Sequence, residues 1–160
     1  MLRIRAATVD DVPLLKTMIV EFATFERLEQ WVTVTEEMLA RHGFGEHPLF
    51  RVLIAEWDGE VAGYEFLYDF YSSFEGPGLF LEDIYVREPF RGKGIGKAFM
   101  AEAAAIAVRE RRFAMSWEVL NWNQSAIDFY KGLGGYFPDE WKVMRLEGNA
   151  LERLAEHSMK

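Results

Sequence analysis

Residues Leu79 to Val86 read Leu-Phe-Leu-Glu-Asp-Ile-Tyr-Val, apolar on both alternating faces, and a glycine-rich, basic turn follows almost at once. A strand with apolar residues on both faces is covered on each side, as in the middle of a sheet flanked by helices. Strict alternation assigns Phe80, Glu82, Ile84 and Val86 to one face and Leu79, Leu81, Asp83 and Tyr85 to the other, one carboxylate each. An ionised carboxylate buried there must pair, line a wet cleft or shift its pKa upward. Glu82 and Asp83 are therefore functional candidates.

After Pro89 comes Arg91-Gly92-Lys93-Gly94-Ile95-Gly96, running through Lys97 into an Ala-rich segment that reads as a helix to Arg111. Alternate glycines let the main chain aim several N–H groups at one point. The positive end of the helix dipole lies behind them, and Arg91, Lys93 and Lys97 add formal charge. The pattern predicts an anion site of the kind that holds phosphate. It lacks the spacing of a Walker A loop and of the dinucleotide fingerprint.

The rest of the chain reads in order. Leu2 to Ala6 is a strand with one wet face. Thr8 and Asp11 form a capping box before a helix with Pro13 in its first turn and a core stripe of Leu14, Leu15, Met18, Ile19, Phe22 and Phe25. Glu26 and Glu29 lie where that helix ends. Thr33-x-x-Glu36 predicts the cap of a second helix through Leu39 to Arg41. Phe50–Trp57 and Glu60–Tyr71, joined by Asp58-Gly59, form a β-hairpin. Residues 72–78 read as a loop broken by Pro77 and Gly78. Beyond the long helix come a strand at 114–120, Asn123 as the N-cap of a helix ending at Gly134, a strand over 141–146 and a helix over 150–156.

The length of 160 residues fits one domain spanning 1–160. With no Cys, neither a disulfide framework nor a thiolate metal site or nucleophile is available, and the three His show no zinc spacing. No metal is expected. A net charge of −8 disfavours nucleic acid as a partner and would concentrate cationic substrates. The absence of a bilayer-length apolar run and of a signal-peptide core points to a cytoplasmic protein without membrane attachment.

Arg91-x-x-Gly94-x-Gly96 after a buried strand resembles the acetyl-CoA loop of the GNAT N-acetyltransferase superfamily. Leu81-Glu82-Asp83, Gly43-Phe44-Gly45-Glu46-His47-Pro48, Trp122-Asn123 and Phe129-Tyr130-Lys131 resemble, more narrowly, its diamine (spermidine/spermine) acetyltransferase branch. The resemblance implies an α/β (α+β) fold, a mixed and mostly antiparallel sheet whose central strands splay to admit acetyl-CoA, flanked by helices. It implies that Ile84, Tyr85 and Val86 pair with the pantetheine arm and that Gly92 to Lys97, with Arg91, hold the diphosphate. Asn123, Ser125 and Tyr130 complete the cofactor set, and the Tyr at the position of Tyr130 points at the thioester sulfur. Phe25, Glu26, Glu82, Asp83 and the position of Ser72 form the substrate set. Ser72 and Phe74 stand where the polyamine enzymes carry an acidic residue and a Trp, which removes a cation contact. The branch also implies a homodimer.

An amine with a pKa near ~10.4 is an ammonium ion at neutral pH, so attack on a thioester needs a base, and Glu82 is assigned that role. Tyr130 is assigned as the acid that meets the departing thiolate. A main-chain N–H around Ile84 to Val86 would stabilise charge on the carbonyl oxygen. The function expected is acetyl transfer to a small polyamine-like or lysine-like amine. Two alternatives are the same chemistry on another acceptor (an amino acid, thialysine, an aminoglycoside or a protein N-terminus) and a non-catalytic acyl-CoA-binding module.

Overall fold

Thr8 and Asp11 turn the chain from its first strand into its first helix: the Asp11 carboxylate accepts the Thr8 N–H at 2.8 Å and is held by both terminal nitrogens of Arg5 at 2.8 Å. The computed structural model describes residues 1–138 and 142–158, which divide into two compact units, Met1–Glu118 and Val119–Lys160.

In the first unit the elements are β1 (Leu2–Ala6), α1 (Val12–Glu26), α2 (Glu36–Phe44), β2 (Arg51–Trp57), β3 (Glu60–Ser72), β4 (Gly76–Val86), α3 (Ile95–Arg109) and β5 (Met115–Trp117). Strand order in the sheet follows the chain. β1 to β4 pair antiparallel, and β5 returns through α3 to pair parallel with β4. The fold is the expected mixed, mostly antiparallel sheet flanked by helices. One core joins Leu15 and Met18 of α1, Leu39 of α2, and Ile54, Tyr64 and Tyr85 of the sheet. A second joins Ile95 and Phe99 of α3 to Ala55 and Ala62, with Leu53, Ile84 and Val86 packed against it.

Several expectations are corrected. α2 is capped by Thr35, whose hydroxyl accepts the Met38 N–H at 3.1 Å, and Glu36 and Glu37 of the first turn favour that dipole end; Thr33 lies too early to reach. Residues 72–78 are mostly strand, because the aromatic pairs Tyr68–Phe80 and Phe70–Phe80 carry the hairpin ladder outward until only 73–75 turn. Pro77 is tolerated near the start of the strand. The strand expected over 114–120 keeps only Met115–Trp117, since pairing with β4 ends where β4 becomes irregular.

The second unit holds α4 (Gln124–Gly132) and α5 (Gly148–Ala155). Asn123 caps α4 by accepting the Ala126 N–H at 3.2 Å. Gly134, at φ 95°, ends it as expected, donating to the Lys131 carbonyl. The strand expected over 141–146 does not form at 142–146, where Val143 and Met144 are exposed and no ladder partner stands among the described residues; Trp141 lies outside them.

Candidate active site

β4 has one residue too many. Phe66 pairs with Asp83 and Leu67 with Leu81, so Glu82 is a bulge opposite no residue of β3. The bulge resets the alternation: Ile84 now shares with Leu53 and Val86 the face under α3, whereas Asp83 and Tyr85 face α1 with Tyr64. The faces expected from strict period two are therefore wrong for Ile84 and Val86 relative to Leu79 and Leu81. The bulge sits at Glu82, just before the Ile84 to Val86 stretch. Parallel pairing with β5 stops one residue earlier, at Leu81 with Trp117, so β4 beyond the bulge has β3 as its only strand partner among the described residues. This is the local form of the expected splay.

Around the bulge the acidic candidates converge. Asp83 is half-buried, and its carboxylate accepts the Tyr64 hydroxyl at 2.9 Å. Burial pushes the Asp83 carboxyl up to about 7; the Tyr64 hydrogen bond opposes this, and the charges of Glu82 and Glu26 add to it. Glu26, at the last turn of α1, is also raised by burial. The charges of Glu26 and Glu82 are thus both felt at Asp83. Glu82 is exposed on the strand, and its charge reaches Tyr68 as well as Asp83. Phe25 lies under the guanidinium of Arg91, 4.7 Å from its ring centre. Ser72 accepts the N–H groups of Phe74 and Glu75 at 3.2 Å and so shapes the hairpin turn.

The loop before α3 suits a phosphate. Gly92 and Gly94 have φ of 74° and 81°, a region that other residues avoid, and a Cβ on either would meet open space. Gly94 is the N-cap of α3 and no side chain caps that helix, which leaves its first N–H groups for a ligand. Lys97 is exposed there. Arg91 donates to the Val86 carbonyl at 2.9 Å, and Lys93 lies 5.0 Å from the Trp57 ring and 5.2 Å from that of Phe90. These residues fit a diphosphate group, with two of the three cations steered by aromatic neighbours. In the second unit, Tyr130 is half-buried on α4, its ring 5.3 Å from that of Phe129, and Ser125 is exposed in the first turn of the helix. Among the described residues no group of three or more His, Asp or Glu could hold a metal, and no helix is long and apolar enough to cross a membrane.

Two groups escaped the sequence reading. Tyr64 looks there like ordinary β-hairpin filling; its place opposite Tyr85 and beside Asp83 emerges only from the register. Glu65 is fully buried between Leu53 and Ile84 with neither carboxylate oxygen hydrogen-bonded, and burial, with the charge of Glu102, pushes it up to about 8. A Glu at an inward position of a β-run was the available signal.

A main-chain anion cradle at a helix start, a central strand that parts from its parallel neighbour, and carboxyl groups at the parting define an acetyl-CoA-dependent N-acetyltransferase. The chain belongs to the Acetyltransferase (GNAT) family, whose profile matches residues 14–135. It is 39% identical to a thialysine N-epsilon-acetyltransferase of Mus musculus, with 96% of each chain covered. It is 31% identical to an L-ornithine N5-acetyltransferase of Arabidopsis thaliana, covering 95% of this chain and 87% of that one. Among solved structures, an integron cassette protein from the mobile metagenome of V. cholerae superposes with a TM-score of 0.80 at 25% identity, covering 97% and 98%.

Proposed function

We propose that this enzyme acetylates the terminal primary amine of a small lysine-like substrate. The observation that carries the reading is the convergence of Glu26 and Asp83 beside the bulged Glu82, an acidic corner suited to an ammonium group. The names of the relatives, a thialysine and an ornithine enzyme, support an amino acid with an amine-bearing arm over a polyamine. So does the presence of Ser72 and Phe74 where the polyamine branch has an acid and a Trp.

In this reading acetyl-CoA supplies the acetyl group as a thioester, with its diphosphate at Gly92 to Lys97 and its arm along Ile84 to Val86. Glu26 and Asp83 hold the incoming ammonium. Glu82, exposed on the strand and able to hand its proton to water, removes the proton that blocks attack. The Tyr130 hydroxyl gives a hydrogen bond or proton to the departing sulfur. Asn123 fixes α4, and with it Tyr130, through the cap it makes. No protein nucleophile is required, so a chain without Cys loses nothing. The two units act as one domain, in a cytoplasmic homodimer.

Release of free CoA thiol with thialysine, L-ornithine, L-lysine, spermidine and putrescine tests the reading. Thialysine, ornithine or lysine should give the highest kcat/KM. Preference for spermidine would return the enzyme to the polyamine branch. Tight CoA binding without turnover on any amine would make the chain an acyl-CoA-binding module.

A further inference from the structure

Tyr64 is fully buried, on a strand interior, and its hydroxyl donates to one oxygen of Asp83 at 2.9 Å. Its ring lies 6.1 Å from that of Tyr85, which lies 5.7 Å from Phe22 of α1, so the phenol is clamped between sheet and helix. We propose that Tyr64 is the positioning residue of the acceptor site, its buried hydroxyl holding the Asp83 carboxylate in the orientation and charge state that meet the substrate ammonium. The proposal rests on the lysine-like acceptor reading above.

A carboxylate in a half-buried place needs donors, and the only side-chain donor recorded for Asp83 among the described residues is Tyr64. The charged groups felt at Asp83 are acids, and cations enter at the neighbouring Tyr85. Glu26 of α1 and Glu82 of β4 both oppose ionisation of Asp83. The phenol of Tyr85 faces Glu21 and lies within reach of Arg87 and Arg91, but Arg87 is engaged by both oxygens of Glu21 at 2.8 Å and Arg91 by the Val86 carbonyl. The neutral phenol of Tyr64 is thus what favours the ionised form, and burial raises its own pKa well above 10, so it stays a donor throughout the working range. A donor on one oxygen leaves the other for the ammonium. Removing it would leave Asp83 protonated near neutral pH, when it can no longer attract a cation.

The experiment is steady-state kinetics with thialysine as a function of pH for the wild type, Tyr64→Phe, Asp83→Asn and the double variant. Tyr64→Phe should raise KM for the amine at least tenfold at pH 7 and move the acidic limb of kcat/KM upward by about one pH unit or more, while kcat at saturating amine and the affinity for CoA stay within about threefold. In the Asp83→Asn background the same substitution should change KM less than twofold. An unshifted limb in Tyr64→Phe, with Asp83→Asn raising KM, overturns the role of Tyr64 and leaves the acceptor reading standing. An unchanged KM in Asp83→Asn overturns both. Should Tyr64→Phe be insoluble, Tyr64→Met fills the same space without a hydroxyl and must show the same shift.

Discussion

Replacing Glu65 with Gln should flatten the dependence of folding stability on pH. In the folded chain both oxygens of this carboxyl lie buried without a hydrogen bond, between Leu53 and Ile84 under α3, and burial followed by the charge of Glu102 moves it from 4.5 to about 8. In the unfolded chain it titrates at its ordinary value. Because the folded state keeps the proton over that interval, the unfolded state loses it first and stability falls as pH rises from 4.5 to about 8, then levels off. At about 1.4 kcal/mol per pH unit, the loss between pH 5 and pH 9 amounts to about 4 kcal/mol, a large part of the ~5–15 kcal/mol that holds a domain of this size. The Gln amide is also buried without a partner, so absolute stability can move either way, and the slope is the informative quantity. Urea unfolding of both proteins at intervals from pH 5 to pH 9 reads it directly. Asp83 and the other titrating groups are common to both and cancel. Parallel curves for the two proteins would refute the reasoning and mean that Glu65 finds water or a partner in solution.

Tyr130→Phe should cut kcat at least a hundredfold and leave CoA affinity within about twofold, measured by calorimetry and single-turnover kinetics; an unchanged kcat removes Tyr130 from the reaction. Glu82→Gln should move the pH–rate profile upward toward the amine's own pKa of about 10.4, since the substrate must then lose its proton unaided, and a profile superimposable on the wild type excludes Glu82 as the base. Asp11 is held well below the usual carboxylate range, at about 2, by Arg5. Asp11→Asn should therefore cost about 1–2 kcal/mol at pH 7, with the difference from wild type vanishing as pH falls through 3.8 toward 2; a constant difference down to pH 2 would assign the effect to packing instead.

Much of the fold was legible because local signals agreed: alternation in β1, the Asp58-Gly59 hairpin, the Asn123 cap and the glycine-rich entry to α3 each demand one backbone conformation. The turn into α3 was readable for the same reason, since closely spaced glycines ahead of a helix leave few alternatives. What the sequence concealed depended on register. Period-two reasoning cannot see a bulge, so it put Ile84 and Val86 on the wrong face relative to Leu81, and it could not bring Tyr64 to Asp83. The hairpin over 72–78 was misread because Pro77 and Gly78 signal a break locally, while cross-strand aromatic pairing decides the matter from the neighbouring strand.

The surplus residue at Glu82 also says what this strand's ladder can do without. Shortening β4 by that one position would join Leu81 directly to Asp83, keep every other pairing with β3, and leave Ile84 and Val86 beneath α3 with Asp83 and Tyr85 toward α1. The sheet would keep its faces, while the carboxylate proposed as the base would be gone. A deletion scan through the strand ought then to be gentlest on folding, yet severe on turnover, at the very residue whose side chain is most exposed to water.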